Sequence, residues 1–444
     1  MVNLLQRPGA IVGVLGSAQT LAWGSSYYLP AVLATPMARD LGVSAPTVFA
    51  AFSIALVVSA TVGPAAGRLI DRRGGRPVLM GTNILFAIGL LALGLAQGPV
   101  TLFLAWGLIG IAMGSGLYEA AFSALVRLYG QGARNAITGI TLIAGFASTV
   151  GWPLTALMES QFGWREACMG WAALHLLIGL PLNALLPTVG SAPIPVASKP
   201  PADAAAIGTA SPQDAGSARP TKAASAGSAP SASSVQSAPA VHTAPAAPDS
   251  SPPSTDSAAR LRLTTILLSF VFSVTFFVSA AMASHLPRLL QACGATLAAA
   301  VAAGALIGPA QVAGRLLEFG FLRRVHPLLS ARLASLGHPI GALALLFAGA
   351  PAAAPFALLH GGGNGILTIA KGTLPLVLFG AHGYGERQGW LMMPARVAQA
   401  SAPFVFGLAL DRWGASTLWL STALGLSALV ALLLMPTIRP TAHP

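Results

Sequence analysis

Long apolar windows without a single charge recur along the chain, at 8–38, 41–67, 77–118, 135–158, 167–198, 263–287, 289–314, 333–370 and 413–438. A helix needs roughly 20 mainly apolar residues to cross a bilayer, and every window reaches that length. Two are long enough for two crossings. Gln97-Gly98-Pro99 divides the 77–118 window, and the stretch from Gly349 to Pro355 divides 333–370, because glycine and proline together end helices. A further span fits 388–410, interrupted only by Arg396. The pattern predicts an all-α membrane protein with twelve transmembrane helices. The first span starts just after Arg7, exceeds a secretory leader in length and has no small-residue cleavage site behind it, so it reads as a retained helix.

Residues 188–260 break this pattern with a tract rich in alanine, proline and serine. Such a tract cannot bury enough apolar surface to offset the entropy of ordering, which predicts disorder. It separates six spans from six. The expected organisation is therefore a six-helix bundle over 1–187, a cytoplasmic linker over 188–260 and a second six-helix bundle over 261–444.

Composition sharpens the picture. Only 8% of the residues are charged and 55% are hydrophobic, whereas about a quarter of a soluble domain is charged. The net charge of +12 raises the question of a nucleic-acid partner, and the placement of the charges answers it. With the N-terminus inside, the inner segments hold seventeen of the 24 lysines and arginines. That is the positive-inside bias of a membrane protein, so the bilayer is the expected partner and nucleic acid is not. Arginine far outnumbers lysine, which together with abundant alanine points to a GC-rich bacterial genome and an inner-membrane location. Cys168 and Cys293 fit no metal or redox spacing. The spans carry no metal-binding or Ser/His/Asp arrangement, so neither a cofactor nor an enzymatic activity is expected.

The two halves echo each other. GPAAGRLID at 63–71 is matched by GPAQVAGRLLE at 308–318, and the Gly-x-Gly opening and closing arginine of 114–134 return in 363–387. Fainter acid-then-glycine punctuation ends the spans at 158–165 and 409–416 on the opposite face, as inverted three-helix repeats would leave it.

GRLIDRRGGR, residues 67–76, packs five charges into ten residues between the second and third spans. It closely resembles the loop signature of the major facilitator superfamily, Gly-x-x-x-Asp-Arg-x-Gly-Arg-Arg/Lys, with Gly67, Asp71, Arg72, Gly74 and Arg76 on the signature positions and an added Gly75. The twelve spans, the two pseudo-symmetric halves and the central linker are similar to the same family. The resemblance implies a secondary transporter working by alternating access. It also implies that Asp71 meets the positive end of a neighbouring helix and an arginine, bracing the cytoplasmic side. Glu318 echoes Asp71 by the repeat and joins the expected gate. The second half also resembles monocarboxylate porters and oxalate–formate antiporters, in which cations on the eighth and eleventh spans meet substrate carboxylates. Arg315 and Arg396 stand on comparable spans, and WGSSYY in the first span is similar to that group's first helix.

Charges inside spans cost at least about 2.5 kcal/mol each on insertion scales and face polar cavities or one another. This chain has Glu119, Arg315, Glu318, Lys371 and Arg396 there. Arg315 and Glu318 are three apart and share a helix face, so pairing and substrate contact both remain open for Arg315. Arg396 has no acid near it in sequence and offers a bidentate fork for a carboxylate. Lys371 is a third candidate contact or a snorkelling side chain. Glu119 is the proton-coupling candidate, with an ion pair to Arg127 or to a cation of the other half as its alternative. His285 and His360 are weaker titratable candidates. Trp23 and Tyr27, four apart, make candidate cavity walls, as does Tyr118. HGGGNG at 360–365 reads as helix packing, with Asn364 facing the cavity. A net positive cavity points to a small organic anion such as a monocarboxylate, moved with protons. The alternatives are proton-driven efflux of drugs or other toxic compounds, and a membrane sensor on a transporter fold.

Overall fold

The computed structural model describes residues 7–188 and 255–435, all helix and connecting turns with no strand among them. The expected linker at 188–260 lies almost wholly outside the described residues. Its last residues already belong to a helix that starts at Thr255. The described residues up to 188 and from 260 onward form one compact unit, and both helical halves belong to it.

The first half runs α1 (Pro8–Ser25), α2 (Pro30–Asp40), α3 (Ala45–Arg73), α4 (Gly75–Gly94), α5 (Pro99–Gly116), α6 (Tyr118–Tyr129), α7 (Arg134–Ile143), α8 (Ala147–Phe162), α9 (Trp164–Leu174) and α10 (Leu180–Ala184). The second half runs α11 (Thr255–Ala292), α12 (Leu297–Ala305), α13 (Ile307–Gly320), α14 (Pro327–Ala348), α15 (Ala353–Phe379), α16 (Tyr384–Trp413) and α17 (Thr417–Leu434). Taken with their breaks, these helices make six passes in each half. The passes α1–α2, α5–α6, α7–α8 and α12–α13 are each interrupted, and α9–α10 runs on through a π-helical turn at His175–Gly179. Eight helical stretches among the described residues are long and apolar enough to cross a membrane. Two of these, Pro99–Phe162 and Tyr384–Leu434, run two passes together.

The predicted divisions fall where glycine and proline stand. Chain leaves helix at 95–98 and resumes at Pro99, and a second break covers Gly349–Ala352 before α15. The charge at Arg288 closed the 263–287 window early, yet α11 continues to Ala292, and Arg288 donates to Asp411 at the same end at 2.6 Å. One charge on an outer turn does not end a helix.

Backbones meet wherever side chains are small, as lipid-embedded bundles require. In the first half a Cβ on Gly110 would lie 2.6 Å from the Ala55 carbonyl oxygen, and one on Gly114 2.7 Å from that of Ser59, so α5 rests directly on α3. In the second half a Cβ on Gly363 would lie 2.5 Å from the Ala334 carbonyl oxygen, and Gly314 sits against Gly362. The glycine run at 361–363 is therefore the surface on which α15 touches α13 and α14. Each half closes around apolar cores of its own, with Trp106, Trp171 and Phe86 fully buried in one and Phe356 and Phe406 in the other.

Candidate functional site

The break between α5 and α6 sets the site. Leu117 is extended, with φ −82 and ψ −165, so Tyr118 and Glu119 open a new helix in the middle of a pass. Glu119 stands in its first turn, where the unpaired N–H groups and the helix dipole favour a carboxylate. The acid is held from the other half. Arg396 Nη2 of α16 donates to both Glu119 oxygens, at 3.0 and 2.9 Å. Arg396 Nη1 donates to Gln399 Oε1 at 3.1 Å, and Gln399 Nε2 donates to the Tyr27 hydroxyl at 2.9 Å. A chain of hydrogen bonds thus joins α6, α16 and the turn between α1 and α2. The expectation of an Arg396 without an acid is corrected here: sequence distance hid a partner 277 residues away. Of the two ion pairs open for Glu119, the one with the other half is present. Losing one member of such a buried pair leaves an uncompensated charge, at about 3–5 kcal/mol.

Rings wall this cluster. Trp23 packs on Tyr27 at 5.2 Å and on Tyr118 at 4.9 Å between ring centroids, and Tyr118 stacks on Phe122 at 5.4 Å. Tyr27 stands in the turn past the end of α1, so its four-residue spacing from Trp23 is not a shared helix face; Trp23 meets both its ring and that of Tyr118. On the second-half side, Phe276 of α11 carries two cations: Lys371 Nζ lies 4.0 Å from its centroid and Arg396 Cζ 5.1 Å. Lys371 is half-buried, has no ion pair among the described residues, and lies within electrostatic reach of Glu119, Arg396 and Arg315.

Arg315 does not pair with Glu318. Its Nη1 donates to the Thr141 carbonyl oxygen of α7 at 3.0 Å, its Nη2 reaches Gln311 Oε1 at 3.5 Å, and its Nε is buried without a partner. Glu318 instead accepts from Arg134 Nη2 at 3.1 Å, and Arg134 also donates to the carbonyl oxygens of Val325 and Leu322 at 3.1 and 3.3 Å. The residues share a helix face as their spacing requires, but each reaches a different depth of the opposite half. Arg315 is thus a buried guanidinium with no carboxylate among the described residues.

At the same end of the bundle as Glu318, the carboxylate of Asp71 accepts from the backbone N–H groups of Gly385 and Glu386, both at 2.9 Å. These are the first N–H groups of α16, which have no partner within their own helix. No arginine bonds Asp71 among the described residues; the nearby ion pair is Arg68 with Glu386 at 2.9 Å. Close backbone approach makes this possible, since a Cβ on Gly67 would strike the Gly385 carbonyl group and one on Gly389 would strike Pro64. Gly74 turns α3 into α4 at φ 84, a left-handed conformation suited to glycine. A Cβ on the added Gly75 would meet that of Ala124. Arg72 and Arg76 make no hydrogen bond or ion pair among the described residues; Arg72 is exposed and Arg76 half-buried.

Asn364 accepts from Ser279 at 2.8 Å and faces a space within the second half, not the Arg396 cluster. His285 Nε2 bonds the Pro403 carbonyl oxygen at 2.7 Å, which fixes it to α16. Sequence reading missed Arg134, Gln399, Phe276 and His338. Gln399 was detectable as a polar residue one turn from Arg396. The others carry no local signal, because their partners come from distant passes. Among the described residues no group of three or more His, Cys, Asp or Glu could hold a metal.

Comparison with known proteins agrees with this architecture. Over 170 residues the chain is 37% identical to an uncharacterised 38 kDa protein of the 23S RNA operon of Thermoproteus tenax, covering 37% of this chain and 44% of that protein. Over 114 residues it is 32% identical to multidrug resistance protein fnx1 of Schizosaccharomyces pombe, covering 25% and 21%. The chain thus spans less than half the length of each of these relatives. Among solved structures it resembles the transporter FucP in the outward conformation, with a TM-score of 0.64, 14% identity, and coverage of 97% of this chain and 100% of that one. A structure of a variant of the E. coli fucose:proton symporter FucP gives 0.63 at 14% identity, with coverage of 97% and 100%. The family model of the Major Facilitator Superfamily matches residues 15–393, so the chain is a multi-pass membrane protein that belongs to the major facilitator superfamily.

Proposed function

We propose that the protein moves a small organic anion together with protons by alternating access between its two halves. The observation that carries this is the pair of cations without acids: Arg315, buried with an unpartnered Nε, and Lys371, held over a phenyl ring. A buried guanidinium at membrane depth is costly unless something compensates it, and a substrate carboxylate fits both its charge and its fork. Arg396 is committed to Glu119, so it contributes through exchange: a carboxylate arriving at Arg396 frees Glu119 to take a proton. Trp23, Tyr27 and Tyr118 would flank the apolar part of the substrate. Asp71 and Glu318 would serve as the cytoplasmic gate with Gly67, Arg72, Gly74 and Arg76 around the turn, in a bacterial inner membrane with both termini and the 188–260 linker on the inside.

Uptake of radiolabelled acetate and lactate into proteoliposomes under an inward proton gradient tests this. Uptake should exceed that of protein-free vesicles and fall at least tenfold, on the order of 1.4 kcal/mol, in Arg315→Gln and Lys371→Gln. Unchanged uptake in both variants would remove the anion reading. The ring cluster around Trp23 supports a second reading, export of aromatic compounds against protons. Proton-driven loss of a neutral aromatic dye from the vesicles, with no carboxylate uptake, would favour it.

A further inference from the structure

Each half buries histidine, one ring in the first and a pair in the second, and the two settings differ. In the first half His175 lies in a π-helical turn, His175–Gly179, between α9 and α10. Its Nε2 meets Ser25 Oγ at 2.7 Å and its Nδ1 meets Asn83 Oδ1 at 2.9 Å, while Phe86 stacks on the ring. Both nitrogens are engaged and the residue is fully buried, which is the arrangement expected of a histidine with a structural role.

In the second half His338 of α14 and His360 of α15 meet Nδ1 to Nδ1 at 3.0 Å. A bond between two ring nitrogens needs one ring to donate and the other to accept. The neutral pair therefore has two arrangements that differ in which ring donates. His338 Nε2 is buried without a partner, and His360 Nε2 has no hydrogen bond among the described residues. Both rings border a small cavity of about 40 Å³ together with Thr275, Ser279, Ser335 and Asn364. Across it the Ser279–Asn364 hydrogen bond ties α11 to α15. No carboxylate, lysine or arginine among the described residues lines this space.

We propose that His338 and His360 form a site for a single proton, loaded from the cavity. A proton added at the outer nitrogen of His360 turns the pair into an imidazolium donating to an imidazole across the existing bond. The Nδ1 proton can then lie on either ring, which spreads the charge and strengthens the bond. A second proton would set two cations 3.0 Å apart and is refused. The charged groups on the surrounding helices are engaged elsewhere. On α14, Arg332 donates to the carbonyl oxygens of Leu432, Leu433 and Met435. On α15, Lys371 lies over Phe276, three turns from His360. On α13, Arg315 turns to Thr141 and Glu318 to Arg134. On α11, His285 and Arg288 bond Pro403 and Asp411, and Arg260 and Arg262 stand near its start. The helix α17 carries no titratable residue. The two histidines are thus the titratable content of the cavity.

The site also occupies the stretch of α15 whose glycines touch α13 and α14, so its charge acts on helix contacts within the second half. What the proton does for transport rests on the proton-coupled reading above; its binding does not.

The test is nitrogen NMR of the full-length protein, labelled in the histidine rings and embedded in lipid nanodiscs, between about pH 8 and pH 5. The Nδ1 signals of His338 and His360, assigned by their loss in His338→Gln and His360→Gln, should move together with one midpoint while His175 stays fixed. Independent titration of the two rings, or neutral signals throughout, overturns the proposal. If the variants do not fold, the wild-type spectrum decides: a nitrogen–nitrogen coupling that persists through one joint titration supports the site, and its absence contradicts it. No substrate is used, so a negative result leaves the transport reading standing, and a failed uptake assay leaves the titration result untouched.

Discussion

Two seams join the halves at the Asp71 end, related by the sequence repeat yet built differently. Along the first, α3 meets α16 backbone to backbone through Gly63, Gly67, Gly385 and Gly389, and Asp71 binds main-chain N–H groups. Along the second, α7 meets α13 through two arginines, with Arg134 on Glu318 and on the carbonyl oxygens of Leu322 and Val325, and Arg315 on Thr141. The first seam has no room for a Cβ at Gly67, Gly385 or Gly389, and Asp71 asks nothing of its partner's side chains; Arg68 and Glu386 add one ion pair beside it. The second is spanned by long side chains that can let go one bond at a time. A repeated motif therefore does not fix a repeated contact: Asp71 and Glu318 occupy matching positions, but the acid one methylene longer meets a side chain instead of a helix end.

Substitutions can break this contrast. The largest effect is expected from Gly67→Val, whose Cβ would strike the fixed Gly385 backbone. Overpacking of this kind costs about 1–3 kcal/mol, and separation of Asp71 from its two N–H partners adds to it. The thermal unfolding midpoint of the purified protein should fall by several degrees. Gly145→Val on the other seam meets only the end of the flexible Arg315 side chain and should lower it much less. Equal shifts would show that the seams are equally rigid.

A smaller effect is expected from Glu318→Gln. It turns one charge-assisted bond into a neutral one, a loss of about 1 kcal/mol, while Arg134 keeps its two carbonyl partners. Arg134→Ala removes all of these bonds and should cost more than Glu318→Gln. The two variants combined should cost little beyond Arg134→Ala alone, a comparison read from denaturation midpoints in a double-mutant cycle.

The smallest concerns His326, in the turn before α14. Its Nδ1 accepts from the Leu328 N–H at 3.2 Å and so caps that helix. Partial burial, and then the charges of Arg134 and Arg332, lower its pKa below the usual histidine value. A histidine with a depressed pKa contributes stability above its unfolded pKa of about 6.5 and loses it as pH falls through the folded value. The unfolding midpoint should therefore drop on acidification below about pH 6.5, and this drop should shrink in His326→Asn, which retains a capping side chain but does not titrate.

Much of the fold was legible because the bilayer writes it into composition: charge-free windows gave the passes, and glycine–proline pairs gave their divisions. The Asp71 turn was legible because its motif is local. The partners of the intramembrane charges were not. Arg396 and Glu119 lie 277 residues apart, and the Arg315–Glu318 spacing showed a shared face without showing that each residue faces a different neighbour. The break at Leu117, which puts Glu119 at a helix start, hides in a window that looks uniformly apolar. His338 gave no sign either, since a lone histidine in an apolar span reads the same whether it is satisfied or not.

The central claim is that the halves separate at the Asp71 end during transport, with both seams opening together. Electron–electron distance measurements test it most directly, using spin labels at exposed positions on either side of each seam: Arg73→Cys with His382→Cys, and Asn135→Cys with Phe321→Cys. With a transported monocarboxylate added at acid pH, both distances should gain a longer population in the same proportion, and Asp71→Asn should raise that population without substrate. One seam opening while the other stays closed, or neither opening during measurable flux, would contradict the account.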